Sequence, residues 1–448
     1  MKFGVVFSIL LCFAAHSGAQ IISGPMLGPV EFREARVWLE VSSSVQTIQL
    51  VYSKRGQPQS LTIPYTGQLG KPFNPIQFHI GNLDMNTTYL YSFIVDGKAS
   101  RQQGSFTTKD LWQWRKPAPN FSFLAGSCAY FNEPAYDRPG KPYGGDSLIF
   151  ETMARENAAF MLWLGDNWYT REVDYFSQWG LWYRAHHHRR QPVLQNFLKA
   201  MPHLAIWDDH DFGPDNSGKD YILKEESRAV FQSYWLNKSY GQNGEGIFTQ
   251  YSHGDVDIFM LDDRWWRSSD RLPDSLNGQP NPEKRMFGPQ QMDWLKNSLL
   301  NSDATFKIIA TGSQVLNPVS PVDKMQAFPV EYNDLMAFLV NNRINGVLFL
   351  TGDRHHSEII RTERQGTYPL YDITCSPLTA GTSPTFPPAE QNNAYRVFGF
   401  TGKRNYGRFS IAGAKGQRTL TVQFTGAGGE RLGQWAVTEA DLKTPEKK

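Results

Sequence analysis

One short apolar segment constrains the fold more than any other stretch of the sequence. Residues 160–164 read Phe-Met-Leu-Trp-Leu without polar alternation, and Gly165, Asp166 and Tyr169 follow. An uninterrupted apolar run of this length predicts a strand that is buried on both faces, as in a parallel sheet. Ligands of α/β folds bind where such strands end. Asp166 alone is ambiguous, because an aspartate after a strand also commonly caps the next helix.

Three further strand-like runs end in the same way. They cover residues 121–125, 203–207 and 347–350. The side chains that follow them are of types that commonly bind metals: Cys128 after the first run, Asp208, Asp209, His210 and Asp211 after the second, and Asp353, His355 and His356 after the third. We therefore predict a metal site assembled from four strand ends.

The first 19 residues have the pattern of a secretory signal peptide. Lys2 is the single charge, residues 5–15 are apolar, and Ser17-Gly18-Ala19 matches a small-x-small cleavage site. The apolar segment is too short to span a bilayer, and no later run is long enough either. We therefore expect a secreted or periplasmic protein that is cleaved near Ala19 and has no transmembrane anchor.

Charge and cysteine content narrow the possible functions. The formal net charge is +2 and falls to +1 when Lys2 leaves with the signal, which argues against nucleic-acid binding through bulk charge. Cys128 and Cys375 are the cysteines that remain in the mature chain. Two thiols in an exported protein often form a disulfide, which is the alternative to a metal-binding Cys128.

Residues 20–111 have the pattern of an all-β domain. Residues 35–41 and 47–52 alternate apolar and polar side chains with a period of two. Leu83 followed by Tyr89 resembles the tyrosine corner of fibronectin type III-like and immunoglobulin-like sandwiches. We predict a small β-sandwich of this kind, without chemistry of its own.

From residue 112 to residue 440 strands alternate with helix-like stretches, which is the signature of an α/β layered fold. Residues 175–199 form a long polar stretch of helical character that contains His186-His187-His188-Arg189-Arg190. Adjacent histidines point in different directions on a helix, so these three cannot bind one metal together. We interpret the run mainly as a solvated helix face, and attraction of phosphate by its arginines is the alternative.

The strand-end motifs together resemble a known superfamily. Gly165-Asp166-x-x-Tyr169, Trp207-Asp208-Asp209-His210-Asp211 and Gly352-Asp353-x-His355 resemble the spaced motifs of calcineurin-like metallophosphoesterases, and within them those of PhoD-like alkaline phosphatases. The other matching motifs are Gly126-Ser127-Cys128, Leu261-Asp262-x-Arg264 and Phe287-Gly288 with Gln291-x-x-Trp294-Leu295. The resemblance implies a four-layer αββα metallophosphoesterase sandwich for residues 112–440, preceded by the small β-sandwich.

The resemblance also implies an iron site, with Cys128, Asp166, Tyr169 and His355 as its ligands. The pair Asp166-x-x-Tyr169 resembles that of purple acid phosphatases, in which the phenolate binds ferric iron. Cys128 stands where most of the superfamily has an aspartate, and PhoD-like enzymes share the thiol. A carboxylate such as that of Asp166 can offer one oxygen to each of two cations and so bridge them.

A calcium site beside the iron is implied in the same way. Asp209 and Asp353 stand where the superfamily has an asparagine and a histidine, and carboxylates suit a hard cation such as Ca²⁺. Asn216 is a further candidate ligand or, alternatively, a turn residue of the segment 213–218. The expected cofactors are therefore Fe³⁺ and Ca²⁺, in a two-metal or larger cluster.

The activity that the resemblance implies is metal-dependent hydrolysis of a small phosphate ester, a monoester, a diester or both. The metals would polarise the phosphoryl oxygens and present a hydroxide for in-line attack on phosphorus. Asp166 and His210 are the expected catalytic residues, because the superfamily has at the position of His210 a histidine that steadies or protonates the leaving oxygen. The alternative for His210 is a structural histidine bonded to a carboxylate.

Two alternatives to a phosphomonoesterase stay open. One is a phosphodiesterase that acts on teichoic-acid-like or phospholipid substrates. The other is a secreted binding protein in which the metal site is structural. The sequence does not define the oligomeric state.

Overall fold

The computed structural model describes residues 20–445, so the predicted signal peptide, residues 1–19, lies outside the described residues. Within this range the chain forms 22 strands, seven α-helices and three short 3-10 helices. The strands are β1 (Ile21–Val30), β2 (Ala35–Val41), β3 (Ile48–Lys54), β4 (Ser60–Pro64), β5 (Pro75–Ile80), β6 (Thr88–Val95), β7 (Lys98–Thr107), β8 (Phe121–Gly126), β9 (Met161–Leu164), β10 (His203–Ile206), β11 (Thr249–His253), β12 (Val256–Met260), β13 (Ser275–Leu276), β14 (Gln279–Pro280), β15 (Phe306–Thr311), β16 (Val347–Thr351), β17 (Ser357–Thr362), β18 (Leu370–Thr374), β19 (Arg396–Phe400), β20 (Asn405–Ala412), β21 (Thr419–Gly426) and β22 (Arg431–Thr438).

The α-helices are α1 (Leu148–Ala154), α2 (Gln178–Arg189), α3 (Leu194–Ala200), α4 (Asp209–Phe212), α5 (Lys224–Tyr234), α6 (Gly288–Leu300) and α7 (Pro329–Asn341). The 3-10 helices are Met325–Ala327, Pro388–Glu390 and Ala440–Leu442. None of the helices within residues 20–445 has the length and apolar character needed to cross a membrane.

The first seven strands form a β-sandwich. One sheet has the order β1-β2-β5, and the other has the order β4-β3-β6-β7. Every second side chain of β6 is buried, as expected for a strand with one face on a core. The hydroxyl of Tyr89 accepts a hydrogen bond of 2.9 Å from the backbone N–H of Asp84, which forms the corner that the sequence predicts.

Two larger sheets, formed by strands that follow the sandwich in the sequence, pack face to face. The six-stranded sheet has the order β10-β9-β8-β20-β21-β22, and the seven-stranded sheet has the order β11-β12-β15-β16-β18-β17-β19. Aromatic contacts join them: Phe160 lies 5.1 Å from Tyr251, and Phe398 lies 5.2 Å from Phe424, between ring centres. The two sheets therefore share one core.

Helices connect the parallel strands of both large sheets. β8, β9 and β10 are parallel, with α1, α2 and α3 in their crossovers, and β12, β15 and β16 are parallel, with α6 and α7 in theirs. Right-handed crossovers place such helices on the outer faces of the two sheets. The helix–sheet–sheet–helix order confirms the predicted fold class.

The solvated-face interpretation of residues 186–190 is wrong. Arg189 is fully buried, and its guanidinium lies 4.1 Å from the ring centre of Trp235. His186 Nδ1 lies 2.9 Å from the carboxylate of Glu40, which is buried on β2 of the sandwich. The run is therefore part of the contact between the sandwich and α2. The helical stretch around it is also divided, because the segment that contains Pro192 separates α2 from α3.

Candidate metal centre

Three strand ends bring Cys128, Asp166 and His355 together, with one ligand atom of each within 4.8 Å of the others. The Oδ2 atom of Asp166 lies 3.6 Å from Cys128 Sγ and 2.9 Å from the hydroxyl of Tyr169. The same hydroxyl lies 3.3 Å from His355 Nε2. The four residues predicted to bind iron therefore form one cluster.

The other oxygen of Asp166 belongs to a second group. Its Oδ1 atom accepts a hydrogen bond of 3.3 Å from the backbone N–H of His210, and Asp166, Asp209 and His210 each place a ligand atom within 4.8 Å of the others. Asp209 is the first residue of α4, so the turn from β10 into this helix positions it. Asp166 thus belongs to both groups of candidate ligands.

The backbone is strained at the candidate ligands. Cys128, Asp166, Asp353 and His355 have φ angles of 63°, 53°, 61° and 55°, in the left-handed region that non-glycine residues seldom adopt. Cys128 is held there by a hydrogen bond of 3.3 Å from its N–H to the carbonyl of Gly165. Strained residues cluster at functional sites, because the surrounding structure has to hold them in place.

Burial and like charge control protonation in the first group. Burial, and then the carboxylates of Asp166 and Asp353, raise the pKa of the Cys128 thiol. Burial, and then Asp166 and Cys128, raise the pKa of Tyr169 in the same way. Burial lowers the pKa of His355 to about 4, which leaves a neutral imidazole free to bind a cation. The cluster has donors for a transition metal, and a bound cation would displace the protons from its thiol and phenol.

The oxygen donors predicted for calcium differ from one another. Burial opposes ionisation of Asp209, but the charges of His210 and Arg264 outweigh it and hold the pKa of Asp209 below its usual range. Burial, and then the neighbouring Asp323, raise the pKa of Asp353 to about 8. These carboxylates are hard oxygen donors of the type that Ca²⁺ prefers.

Asn216 approaches the centre through its backbone. Its N–H donates a hydrogen bond of 2.6 Å to Asp209 Oδ2, while its side-chain amide donates to Asp215 over 3.2 Å. The structure thus places Asn216 beside Asp209 with its side chain engaged elsewhere, and its role as a ligand stays a prediction.

Arg264 and Asp323 are charged residues of the centre to which sequence reasoning gave no role. Arg264 is fully buried, and its Nε donates a hydrogen bond of 2.5 Å to Asp208 Oδ1. Its Nη2 lies 3.7 Å from a carboxylate oxygen of Asp323. Arg264 could have been predicted from its motif with Leu261 and Asp262. Asp323 could not, because it lies in a loop that does not directly follow a buried strand.

His210 lies between the two donor groups and the open surface. Its imidazole packs against the ring of Tyr169 with 4.2 Å between ring centres, and its Nε2 lies 3.6 Å from Asp215. About a quarter of its side chain, 24%, is exposed. This is a suitable place for a residue that exchanges a proton with a leaving group, although the carboxylate contact of a structural histidine is also present.

His356 faces away from the centre, unlike its neighbour His355. Its Nε2 lies 3.3 Å from Glu358, and its ring packs against Phe386.

Both cysteines of residues 20–445 are buried free thiols. The alternative of a disulfide between them is therefore not realised. Cys128 Sγ accepts a hydrogen bond of 3.3 Å from the hydroxyl of Ser376, and its carbonyl accepts bonds from the N–H groups of Thr379 and Ala380. The loop that follows Pro377 thus lies at the site.

Comparison with known proteins agrees with the class that the fold and the site define, an α/β protein of the metallophosphoesterase type. Residues 123–422 match the family of PhoD-like phosphatases, and this chain belongs to that family. Alkaline phosphatase D from Bacillus subtilis (strain 168) is 24% identical over 339 residues, which are 65% of this chain and 55% of that protein. The chain thus spans about half the length of this relative.

Two solved structures share the fold. A structure of PhoD covers 94% of this chain and 90% of its own, with a TM-score of 0.73 and 17% identity. A purple acid phosphatase from yellow lupin (Lupinus luteus) seeds covers 95% of this chain and 77% of its own, with a TM-score of 0.66 and 11% identity. At these identities the likeness concerns the fold alone.

Proposed function

We propose that this protein is an exported, metal-dependent phosphoric ester hydrolase of the alkaline phosphatase type. The observation that carries the proposal is the position of Asp166. Its Oδ2 atom lies beside Cys128 Sγ and the hydroxyl of Tyr169, and its carboxylate also lies within 4.8 Å of ligand atoms of Asp209 and His210. A carboxylate between two donor groups is what a two-metal hydrolase needs. Membership in the PhoD-like family supports the same activity.

The two donor groups fit different cations. A thiol, a phenol and an imidazole beside Asp166 suit ferric iron, held by Cys128, Tyr169 and His355. The second group offers carboxylate oxygens of Asp166 and Asp209, which suit Ca²⁺, with Asp353 and Asn216 as further candidate ligands. When bound, the cations would polarise the phosphoryl oxygens and supply the nucleophilic oxygen.

The side chains around the cations bind and orient the ester. His210 lies at the exposed side of the centre and is placed to hold or protonate the leaving oxygen. The charges of His210 and of the buried Arg264 hold the pKa of Asp209 below its usual range against the effect of burial. The tight turn after β9, closed by the hydrogen bond from Ala129 N–H to the carbonyl of Asp166, fixes the central carboxylate.

The proposal of export rests on the pattern of residues 1–19, with the charge of Lys2 before an apolar core. The substrate is a small phosphate ester, which would enter beside His210.

A chromogenic phosphomonoester and the matching diester test this function. Protein loaded with iron and calcium should hydrolyse at least one of them, a chelator should abolish turnover, and adding back both metals should restore it. The ratio of the two rates distinguishes a monoesterase from a diesterase. A protein that binds both metals and hydrolyses neither ester would be the binding protein of the alternative reading.

A further inference from the structure

The loop from Asn132 to Gly144 forms one wall of a cleft beside the candidate metal centre. The cleft has a volume of about 560 Å³, and Tyr169 and His210 of the centre also line it. This volume lies in the range of sites for small organic molecules and exceeds what a phosphate group needs. The cleft therefore has room for the alcohol half of an ester.

The wall of the cleft is a closed loop. The side-chain amide of Asn132 donates to the carbonyl of Gly144 over 2.8 Å and accepts from its N–H over 2.9 Å. Compact surface loops with joined ends are frequently functional. Pro134, Pro139 and Pro142 further restrict the backbone. The loop is thus a preformed element rather than a flexible connection.

An internal network ties the loop to the metal centre. Asp137 accepts hydrogen bonds from the hydroxyl of Tyr130 over 2.6 Å and from Arg171 over 2.8 Å. Its second oxygen accepts from the backbone N–H of Glu133 over 2.7 Å. The Arg171 guanidinium lies 4.1 Å from the ring centre of Tyr130 and also donates to the carbonyl of Tyr169. The position of the wall relative to the centre is therefore fixed.

The lining of the cleft is aromatic. It includes five tyrosines and no leucine, isoleucine, valine or methionine. The tyrosines are Tyr130, Tyr136, Tyr143, Tyr169 and Tyr175. Tyr136 and Tyr143 are exposed, at 44% and 42%, whereas the buried rings of Tyr130 and Tyr169 pack against Arg171 and His210. Exposed aromatic faces favour a flat ring that stacks on them, whereas an acyl chain would need an aliphatic wall.

The polar groups of the loop further restrict which leaving group the cleft can bind. The amide of Asn132 and the carboxylate of Asp137 are engaged within the loop, so they are not free to bind the hydroxyls of a sugar. Arg138 and Lys141 stand exposed at the tip of the loop. Arg138 pairs with Glu172 over 3.4 Å, so Lys141 is the cation of this loop that is left to attract an anion.

We propose that this cleft binds the leaving group of the ester and selects a nucleoside, whose base stacks on the exposed Tyr136 and Tyr143 while a further phosphate lies near Lys141. The inference rests on the proposed function, because it assigns the alcohol half of the substrate of the same site. It names a substrate class, the nucleotides, that the metal ligands alone do not select.

The first test compares esters on the metal-loaded protein. The kcat/KM for adenosine 3′,5′-bisphosphate and for adenosine 5′-monophosphate should exceed that for glycerol 3-phosphate by about tenfold or more, as expected from the stacking of one base. Tyr136→Ala should lower the ratio of kcat/KM for adenosine 5′-monophosphate to that for glycerol 3-phosphate about tenfold, and Tyr136→Phe should keep it. Tyr395→Ala is the matched control, because Tyr395 is exposed to the same 44% outside the cleft and its loss should not change the ratio.

The second test does not depend on catalysis. Adenosine should bind to the wild-type protein and to Tyr395→Ala, as measured by ligand-observed NMR, and Tyr136→Ala should weaken its binding about tenfold. Equal kcat/KM values for the nucleotides and glycerol 3-phosphate, or adenosine binding unaffected by Tyr136→Ala, would overturn the inference and leave the proposed function intact. If no ester is hydrolysed, the proposed function fails, and adenosine binding still decides whether the cleft recognises a nucleoside.

Discussion

The candidate metal centre and a second buried cluster are built from the same kinds of side chain. In the second cluster His356, Glu358 and Glu390 also place ligand atoms within 4.8 Å of one another. Two arginines accompany these residues: Arg396 lies 2.6 Å from Glu358, and Arg354 pairs with Glu390. We call these five residues the ion-pair cluster.

The two clusters differ in charge balance. Burial opposes ionisation of Glu358, but hydrogen bonds from His356 and Gln314 and the charge of Arg396 lower its pKa to about 2. In the metal centre burial raises the pKa of Asp166, and the carboxylates of Asp209 and Asp211 add to the effect of burial, which the charge of His210 opposes. Arginines thus pair directly with Glu358 and Glu390, whereas within residues 20–445 Asp166 pairs with no lysine or arginine, although Arg264 lies in the same centre beside Asp208. Proximity of ligand atoms alone does not define a metal site.

The largest expected effect separates the two clusters by metal content. Asp166→Asn should lose both metals and reduce turnover by about 1,000-fold or more, because it removes the carboxylate that two cations would share. Glu358→Gln, the same chemical change in the ion-pair cluster, should leave the metal content unchanged. Elemental analysis of the two purified, folded variants measures this. Normal metal content in Asp166→Asn would contradict the bridging role.

The second prediction reverses the comparison and concerns stability. Arg396→Met should lower the free energy of unfolding by about 3–5 kcal/mol, because it removes the arginine that is paired with the buried carboxylate of Glu358. Methionine retains an apolar chain against Phe386, which now lies 3.5 Å from the guanidinium. Urea denaturation of the metal-loaded protein measures the change. The double variant with Glu358→Gln should recover part of the loss, and a single variant as stable as the wild type would contradict the ion-pair interpretation.

The third prediction gives the pH dependence of the same pair. The folded pKa of Glu358 is about 2, below its ordinary value of 4.5. The unfolded chain therefore takes up a proton as the pH falls through 4.5, and the folded chain does so only near 2. The stabilisation is complete above pH 4.5, amounts to about 3 kcal/mol, and is lost as the pH falls from 4.5 to 2.

Unfolding measured at two pH values checks this. The difference in unfolding free energy between wild type and Glu358→Gln should be larger at pH 6 than at pH 3.5. A difference that grows on acidification would mean that the folded protein does not hold Glu358 ionised.

The sequence predicts the metal centre better than it predicts the ion-pair cluster, for a physical reason. Cys128, Asp166 and His355 each follow a buried strand, so a local pattern marks them before any contact is known. Arg396 is the first residue of β19, and Glu390 is the last residue of a 3-10 helix, and neither position has a comparable sequence pattern. Their pairing depends on how distant segments meet.

The same reason explains the error at residues 186–190. From the local sequence, these histidine and arginine residues predict a polar surface, because the residues that bury them do not belong to the same helix. Glu40, which covers His186, lies 146 residues away in the sequence. Short elements also escaped prediction, since β4 is largely exposed and β13 and β14 have two residues each. The apolar strands of the large sheets were found because burial on both faces leaves a continuous signal.

The smallest expected change in stability is also a sensitive test of which cation the centre holds. A phenolate or thiolate bound to ferric iron absorbs visible light, so the metal-loaded protein should be coloured. Tyr169→Phe keeps the ring that packs against His210 and removes the hydroxyl near Asp166 and His355. Stability should change little, the visible band should shift or vanish, and activity should fall.

Tyr143→Phe is the matched control, because the hydroxyl of Tyr143 lies 3.0 Å from His355 Nδ1 and Tyr143 is not a predicted ligand. That variant should keep the band. A colourless wild-type protein that is fully active with calcium alone would overturn the iron assignment. Tyr169 would then be a phenol that only forms hydrogen bonds, and not a phenolate bound to a cation.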